Sequence, residues 1–228
     1  MNMKKAFITI TALAMCALAV SCKKAEKKDM QDMLNEFLNA ARSNNVAEVQ
    51  RLIEAGIYVD TRGNAGAGMT ALMYAAQRNA ADVARLLIEA GADVNKRSFD
   101  QREKTVLMHA AEANAIDVAK LIIAHGADVN AKDTNGTTAL MYAAHSNAVD
   151  TVRLLIKAGA DVDAKDKFAW TALMHATLNN AADTARLLIE AGADVNARRN
   201  GDETALMLAE ECNAVDVAAL LKAAGAKE

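Results

Sequence analysis

From Thr70 onward the chain alternates two short apolar-patterned segments with a polar interval. Leu72, Ala75 and Ala76 fall three to four residues apart, the spacing of one helix face. A second set, Val83, Leu86, Leu87 and Ile88, predicts another helix with all four side chains facing inward. Asn79 separates the two segments and Gly91 closes the second. The whole arrangement then returns. Thr70, Thr105, Thr138, Thr171 and Thr204 each open a Thr-x-Leu-Met segment, 35, 33, 33 and 33 residues apart. Gly91, Gly126, Gly159 and Gly192 each open a Gly-Ala-Asp-Val turn that ends in Asn or Asp. A period of this size predicts stacked helix–turn–helix units in an all-α solenoid.

The residues at the joints carry physical reasons for being there. The threonine hydroxyl is suited to accept a backbone N–H and cap the first helix. Asn79, Asn114, Asn147, Asn180 and Asn213 stand where that helix ends, and asparagine tolerates the left-handed backbone such an ending needs. Asp82 suits the positive start of the second helix, and Arg85 three residues later is placed to pair with it. After Gly91 the chain leads out as a polar finger to the next threonine. The fingers that follow Gly56 and Gly91 are each two residues longer than the rest.

This unit resembles the ankyrin repeat, whose consensus has Thr-Pro-Leu-His, alanines, a Gly-His turn and a Gly-Ala-Asp-Val-Asn ending. Alanine or valine (Ala71, Val106, Ala139, Ala172, Ala205) stands where the family has proline. Met73, Met108, Met141, Met174 and Met207 stand where its histidine supports the threonine, so the cap is expected to lose one hydrogen bond. An N-terminal copy lacks the threonine but keeps Phe37, Ala40, Ala41, Val49, Leu52, Ile53 and Gly56 in register. The resemblance implies an ankyrin-repeat solenoid of about six units over residues 30–228. Their approximate limits are 30–63, 64–98, 99–132, 133–165, 166–198 and 199–228, the outer two acting as caps.

The first 29 residues read differently. Lys4 and Lys5 precede fifteen uncharged, mostly apolar residues from Ala6 to Val20, too short a run for an ordinary membrane span and suited to a secretory signal. Leu18-Ala19-Val20-Ser21-Cys22 resembles the lipobox of bacterial lipoproteins, with Ala19 where that pattern prefers leucine. The resemblance implies a signal peptide over 1–21, acylation of Cys22, and a polar tether over 22–29. An ordinary secreted protein with unmodified Cys22 is the alternative. Cleavage removes Lys4 and Lys5 and no acid, leaving 24 basic residues against 29 acidic ones, a net charge of −5.

Composition narrows the function classes. The uncleaved chain is 53% apolar but only 4% aromatic, as suits close-packed alanine-rich helices, and its net charge of −3 offers no field for nucleic acid. Cys212 is the lone cysteine of the repeat region, which leaves no internal disulfide framework and predicts a small buried or half-buried side chain. His109 and His175 share a repeat position with Tyr74 and Tyr142 and read as fillers between helices. No phosphate loop, HExxH or GxSxG sequence and no zinc-type ligand spacing occurs. Asp93, Asp128, Asp161 and Asp194 recur in every turn and therefore read as structural. No cofactor, metal or small-molecule substrate is expected, and no catalysis.

Family members bind proteins through fingertips and the exposed face of the first helix. Projected here, the resemblance selects Arg102, Lys104, Asn135, Phe168 and Trp170 on fingers, and Gln77, Arg78, His145 and Leu178 on first helices. Phe168 and Trp170 read either as a contact point or as packing that stiffens their finger. Arg62, Arg97, Lys132, Lys165 and Arg198 form a ladder, either facing an acidic partner or paired locally with acids such as Asp133 and Asp166. The expectation is a monomeric, exported interaction scaffold, membrane-anchored through Cys22 and facing the periplasm or cell surface. An inhibitor or immunity-type protein against an envelope toxin or enzyme, or an enzyme framed on the repeat, are the other readings.

Overall fold

Every second-half feature of a repeat in this protein is completed by the repeat beside it, and the helices are the place to see it. The computed structural model describes residues 30–63 and 68–227. The leader 1–21, Cys22 and the tether to residue 29 lie outside the described residues. The N-terminal unit pairs α1 (30–42) with α2 (Val46–Glu54). Then follow α3 (Ala71–Arg78) with α4 (Ala81–Glu89), α5 (Val106–Glu112) with α6 (Ile116–Ala124), and α7 (Ala139–His145) with α8 (Val149–Lys157). The last two pairs are α9 (Ala172–Leu178) with α10 (Ala182–Glu190), and α11 (Ala205–Glu211) with α12 (Val215–Ala223). Among the described residues the only β pairing is three isolated bridges at finger bases, Arg62 with Thr70, Arg97 with Thr105 and Arg198 with Thr204.

Each first helix starts on its own threonine. Thr70, Thr105, Thr138, Thr171 and Thr204 have extended backbones, and each hydroxyl accepts the N–H of the methionine three residues on, at 3.3–3.4 Å. The expected loss of support is partly corrected by sulfur. The Thr70 and Thr105 N–H groups donate to Met73 Sδ at 3.5 Å and Met108 Sδ at 3.4 Å, a weak bond that also closes a capping box.

The asparagines do more than turn the chain. Asn79, Asn114, Asn147, Asn180 and Asn213 all have φ between 48° and 55°, the left-handed region. The second helices α4, α6, α8, α10 and α12 start on alanines, which offer no side-chain cap. For α6 and α12 the asparagine one repeat earlier supplies it. Asn79 Oδ1 accepts from the Asp117 and Val118 N–H groups of α6, and Asn180 Oδ1 from Val217 N–H of α12. Where threonine replaces valine on the second helix, Asn114 and Asn147 instead accept the buried hydroxyls of Thr151 and Thr184, at 2.9 and 2.8 Å. Glycine would make the same turn and provide no acceptor, a physical reason for asparagine at this joint.

First helices α3, α5, α7, α9 and α11 stack in one row and second helices α2 through α12 in another, enclosing a single alanine-rich core. α5 and α7 are buried almost all round because each is held between two first helices and its own partner. Leu87, Ile122, Leu155, Leu188 and Leu221 recur in one register, each fully buried and worth about 2 kcal/mol of transfer free energy. Leu86 and Ile88 depart from expectation: they are only half-buried, because α4 has neighbours on one side and solvent on the other. Cys212 departs too. It is exposed, since it caps the outer end of α11 beyond the last packed turn. The Asp82–Arg85 pair forms at 3.7 Å with both side chains in solvent, where it adds little.

The turns are joined by a second ladder. Asn95, Asn130 and Asp163 each accept the backbone N–H of Asp128, Asp161 and Asp194 in the next turn, all at 2.8 Å. Asn95 and Asn130 also donate Nδ2 to the carbonyls of Gly126 and Gly159 at 3.1 Å. Asp163 has no such donor. Asp163→Asn is therefore expected to add the bond to Gly192 and stabilise the chain by about 1 kcal/mol, raising the melting temperature by about 2–4 °C. Calorimetry checks this, and a lowered melting temperature would refute the ladder's role.

Candidate functional site

Three fingers are organised by carboxylates that stand five residues before the threonine anchors, Asp133 buried and Asp100 and Asp166 half-buried. Asp133 Oδ1 accepts from the N–H groups of Asn135 and Thr137, at 2.8 and 2.9 Å. Asp166 Oδ1 accepts from Phe168 and Trp170 at the same two distances. Asp100 Oδ1 does this for Arg102 and Glu103 at 2.9 and 2.8 Å. Burial would raise the Asp100 pKa, but those backbone bonds and the Ser98 hydroxyl outweigh it and hold the carboxyl below its usual range. In the last unit Arg199 takes this place and pairs with Glu203.

Neighbouring fingertips are also bonded to each other. Thr134 donates its hydroxyl to Gln101 O at 2.7 Å and its N–H to Arg102 O at 3.0 Å, and Lys167 N–H donates to Asn135 O at 2.9 Å. Between these fingers and the rows of first helices lies a groove of about 450 Å³. Seven of the nine surface residues selected from the sequence line it: Arg102, Lys104, Asn135, His145, Phe168, Trp170 and Leu178. Gln77 and Arg78 do not. Gln77 Nε2 lies 3.4 Å from His109 Nδ1, and Arg78 borders a separate hollow with Glu36, Arg42 and Glu48.

The groove has other walls. Tyr142 on α7 donates its hydroxyl to Asp133 Oδ2 at 2.8 Å, and burial together with that bond raises its pKa well above the ordinary tyrosine value. Met141, Asp166 and His175 complete the floor. Their common signal was available. Asp100, Asp133 and Asp166 fall in register when counted back from the threonine, whereas counting forward from the glycine hides Asp100 behind the lengthened finger.

The two readings of the aromatic finger divide between its residues. Phe168 is 57% exposed, whereas Trp170 is half-buried, with the Arg199 guanidinium 4.7 Å from its ring and His175 5.3 Å away. The Phe168 ring is left exposed and Trp170 is the packing element. Phe99 on the lengthened finger, 79% exposed beneath Arg62, is a second exposed ring that the sequence did not single out.

In the basic ladder Arg198 pairs locally with Asp202 at 3.8 Å, but the other rungs do not pair with Asp133 or Asp166. Asp133 and Asp166 are engaged within their fingers, so the cations go elsewhere. Arg97 donates to Lys132 O at 2.9 Å, Lys132 to Lys165 O at 3.0 Å, and Lys165 to Arg198 O at 3.2 Å. Each rung serves the carbonyl of the next and so fastens finger to finger.

His109 and His175 fill the space between first helices, and both rings are neutral imidazoles at pH 7. Burial lowers both to a pKa of about 4; Lys104 lowers His109 further, while Asp166 partly offsets the shift of His175. The unfolded chain protonates them near 6.5, so it binds more protons between about 4 and 6.5. Stability is thus complete above about pH 6.5 and falls as pH drops towards 4, by up to about 3 kcal/mol per histidine. Urea melts across that range should show this slope, and a His109→Tyr, His175→Tyr double variant should flatten it. An unchanged slope would contradict the burial of these rings.

Among the described residues no group of three or more metal-ligating side chains converges. No curated protein matches the chain. The family profile for ankyrin repeats matches it in three copies, over residues 11–98, 96–166 and 158–227. Those matches run through all the stacked helix pairs, and the chain belongs to the ankyrin-repeat family.

Proposed function

We propose that this protein is a non-enzymatic scaffold that binds a protein partner in the groove along the fingers that follow Gly91, Gly126 and Gly159, exported and held in the bacterial envelope by lipid on Cys22. Ankyrin repeats generally mediate protein–protein interaction, so the class of activity follows from the family. The placing rests on one observation. The positions that vary between repeats converge on a groove whose fingers are already held by Asp100, Asp133 and Asp166. A preorganised surface loses less entropy on association and favours binding. Among the described residues no helix is long and apolar enough to cross a membrane. The anchor is therefore assigned to the leader, whose support is the Ser21-Cys22 junction after the apolar run.

One experiment with two readouts tests this. Cells producing the chain with a photo-crosslinking residue at Leu178, or at Val215 as a control far from the groove, are labelled with a radioactive fatty acid. The expected result is a discrete crosslinked protein from position 178 only, and label that disappears in Cys22→Ala. Equal crosslinking from both positions would remove the groove, and equal label in Cys22→Ala would remove the anchor.

A further inference from the structure

The groove's charges are not equally free, and the difference says what it takes. Lys104 lies 2.8 Å from Glu112 and 4.4 Å from the centre of the Tyr142 ring. Arg199 is paired with Glu203 and covers the Trp170 ring. Both cations are neutralised, and the Tyr142 and Trp170 rings each already carry one of the chain's own cations. Arg102 is the exception. It is exposed, its contact is the Tyr142 hydroxyl at 3.5 Å, and among the described residues no carboxylate approaches its guanidinium within 4.0 Å. Tyr142 gives its proton to Asp133, so its oxygen can only accept from Arg102 and aims the guanidinium. The remaining N–H groups are free for a planar bidentate acceptor.

One repeat further along, the groove is apolar at its edge, with Phe168 57% and Leu178 37% exposed beside Met141 and Trp170. We propose that the groove takes an extended segment of the partner in which a carboxylate side chain docks on Arg102 and a bulky apolar side chain docks against Phe168 and Leu178. This inference rests on the protein-binding reading of the same groove. The spacing follows from the stack. The guanidinium sits on Tyr142, one repeat from Leu178, and packed helices are roughly 10 Å apart. An extended chain rises about 3.3 Å per residue, which puts the acid about three residues from the apolar anchor. The mature chain's net charge of −5 opposes an acidic partner only at long range, where salt screens it beyond about 8 Å.

Trp170 is the single tryptophan of the chain and borders the groove, so its emission reports occupancy. A random-peptide library displayed on phage is selected on the purified chain, and the enriched peptides are synthesised and titrated. The expected peptides carry Asp or Glu about three residues from Leu, Ile, Phe or Trp, and shift Trp170 emission. Arg102→Gln should weaken them about tenfold or more, Arg102→Lys should weaken them less, and amidating the peptide acid should erase the difference. Arg102 is exposed and Tyr142 keeps its bond to Asp133, so both variants should fold, which circular dichroism verifies. Enriched peptides that shift Trp170 but lack an acid, or are indifferent to Arg102→Gln, would overturn the carboxylate assignment and leave the groove as the binding face. Lysine-rich or arginine-rich peptides, or an equal Trp170 shift with anionic phospholipid vesicles, would overturn it as well. No enrichment, or binding with no Trp170 shift, would count against both readings.

Discussion

The constraint on which this structure depends is that no repeat satisfies its own backbone. Two helices of seven to nine residues have too many open termini for their length, and the second helix of each pair starts on an alanine. In α6 and α12 the missing acceptor comes from the asparagine of the preceding repeat, in α8 and α10 the same asparagine holds a threonine hydroxyl, and the turns are tied by Asn95 and its equivalents. Basic residues at the finger bases extend the same logic to carbonyls. Because such contacts join successive repeats, they act as nearest-neighbour terms, and order passes along the stack one interface at a time.

Function in this account lies where the translation is broken. The core registers repeat almost unchanged, so they specify a rod and nothing about a partner. Three fingers share one device, an aspartate that gathers backbone N–H groups, yet the side chains they carry differ. Arg102, Asn135 and Phe168 are unlike each other while Asp100, Asp133 and Asp166 are alike. Different chemistry is thereby presented on a common frame. The groove's polarity, a free guanidinium at one end and exposed apolar side chains at the other, follows from that sequence of differences.

Much of this was legible in the residues. Helix pairs, threonine caps and left-handed asparagines follow from local chemistry and a period, and seven groove residues follow from placing variable positions on the repeat. What escaped depends on contacts between repeats. The second role of Asn79 needs Val118, thirty-nine residues away, and a single repeat does not contain that pairing. Gln77 shows the same dependence: one unit along stands His109, whose Nδ1 lies 3.4 Å from it. The exposure of Cys212 belongs to its place at the end of the first helix, where Ala113, Ser146 and Asn179 of inner units are exposed as well.

The central claim is that the fingers are ordered by their aspartates before any partner arrives. Native-state hydrogen exchange on the free chain reads this directly at the amides of Asn135, Thr137, Phe168 and Trp170, which donate to Asp133 and Asp166. The account predicts protection at these four amides approaching that of the first helices beneath them. Exchange at the rate of an open loop would contradict it, and the groove would then be a product of binding.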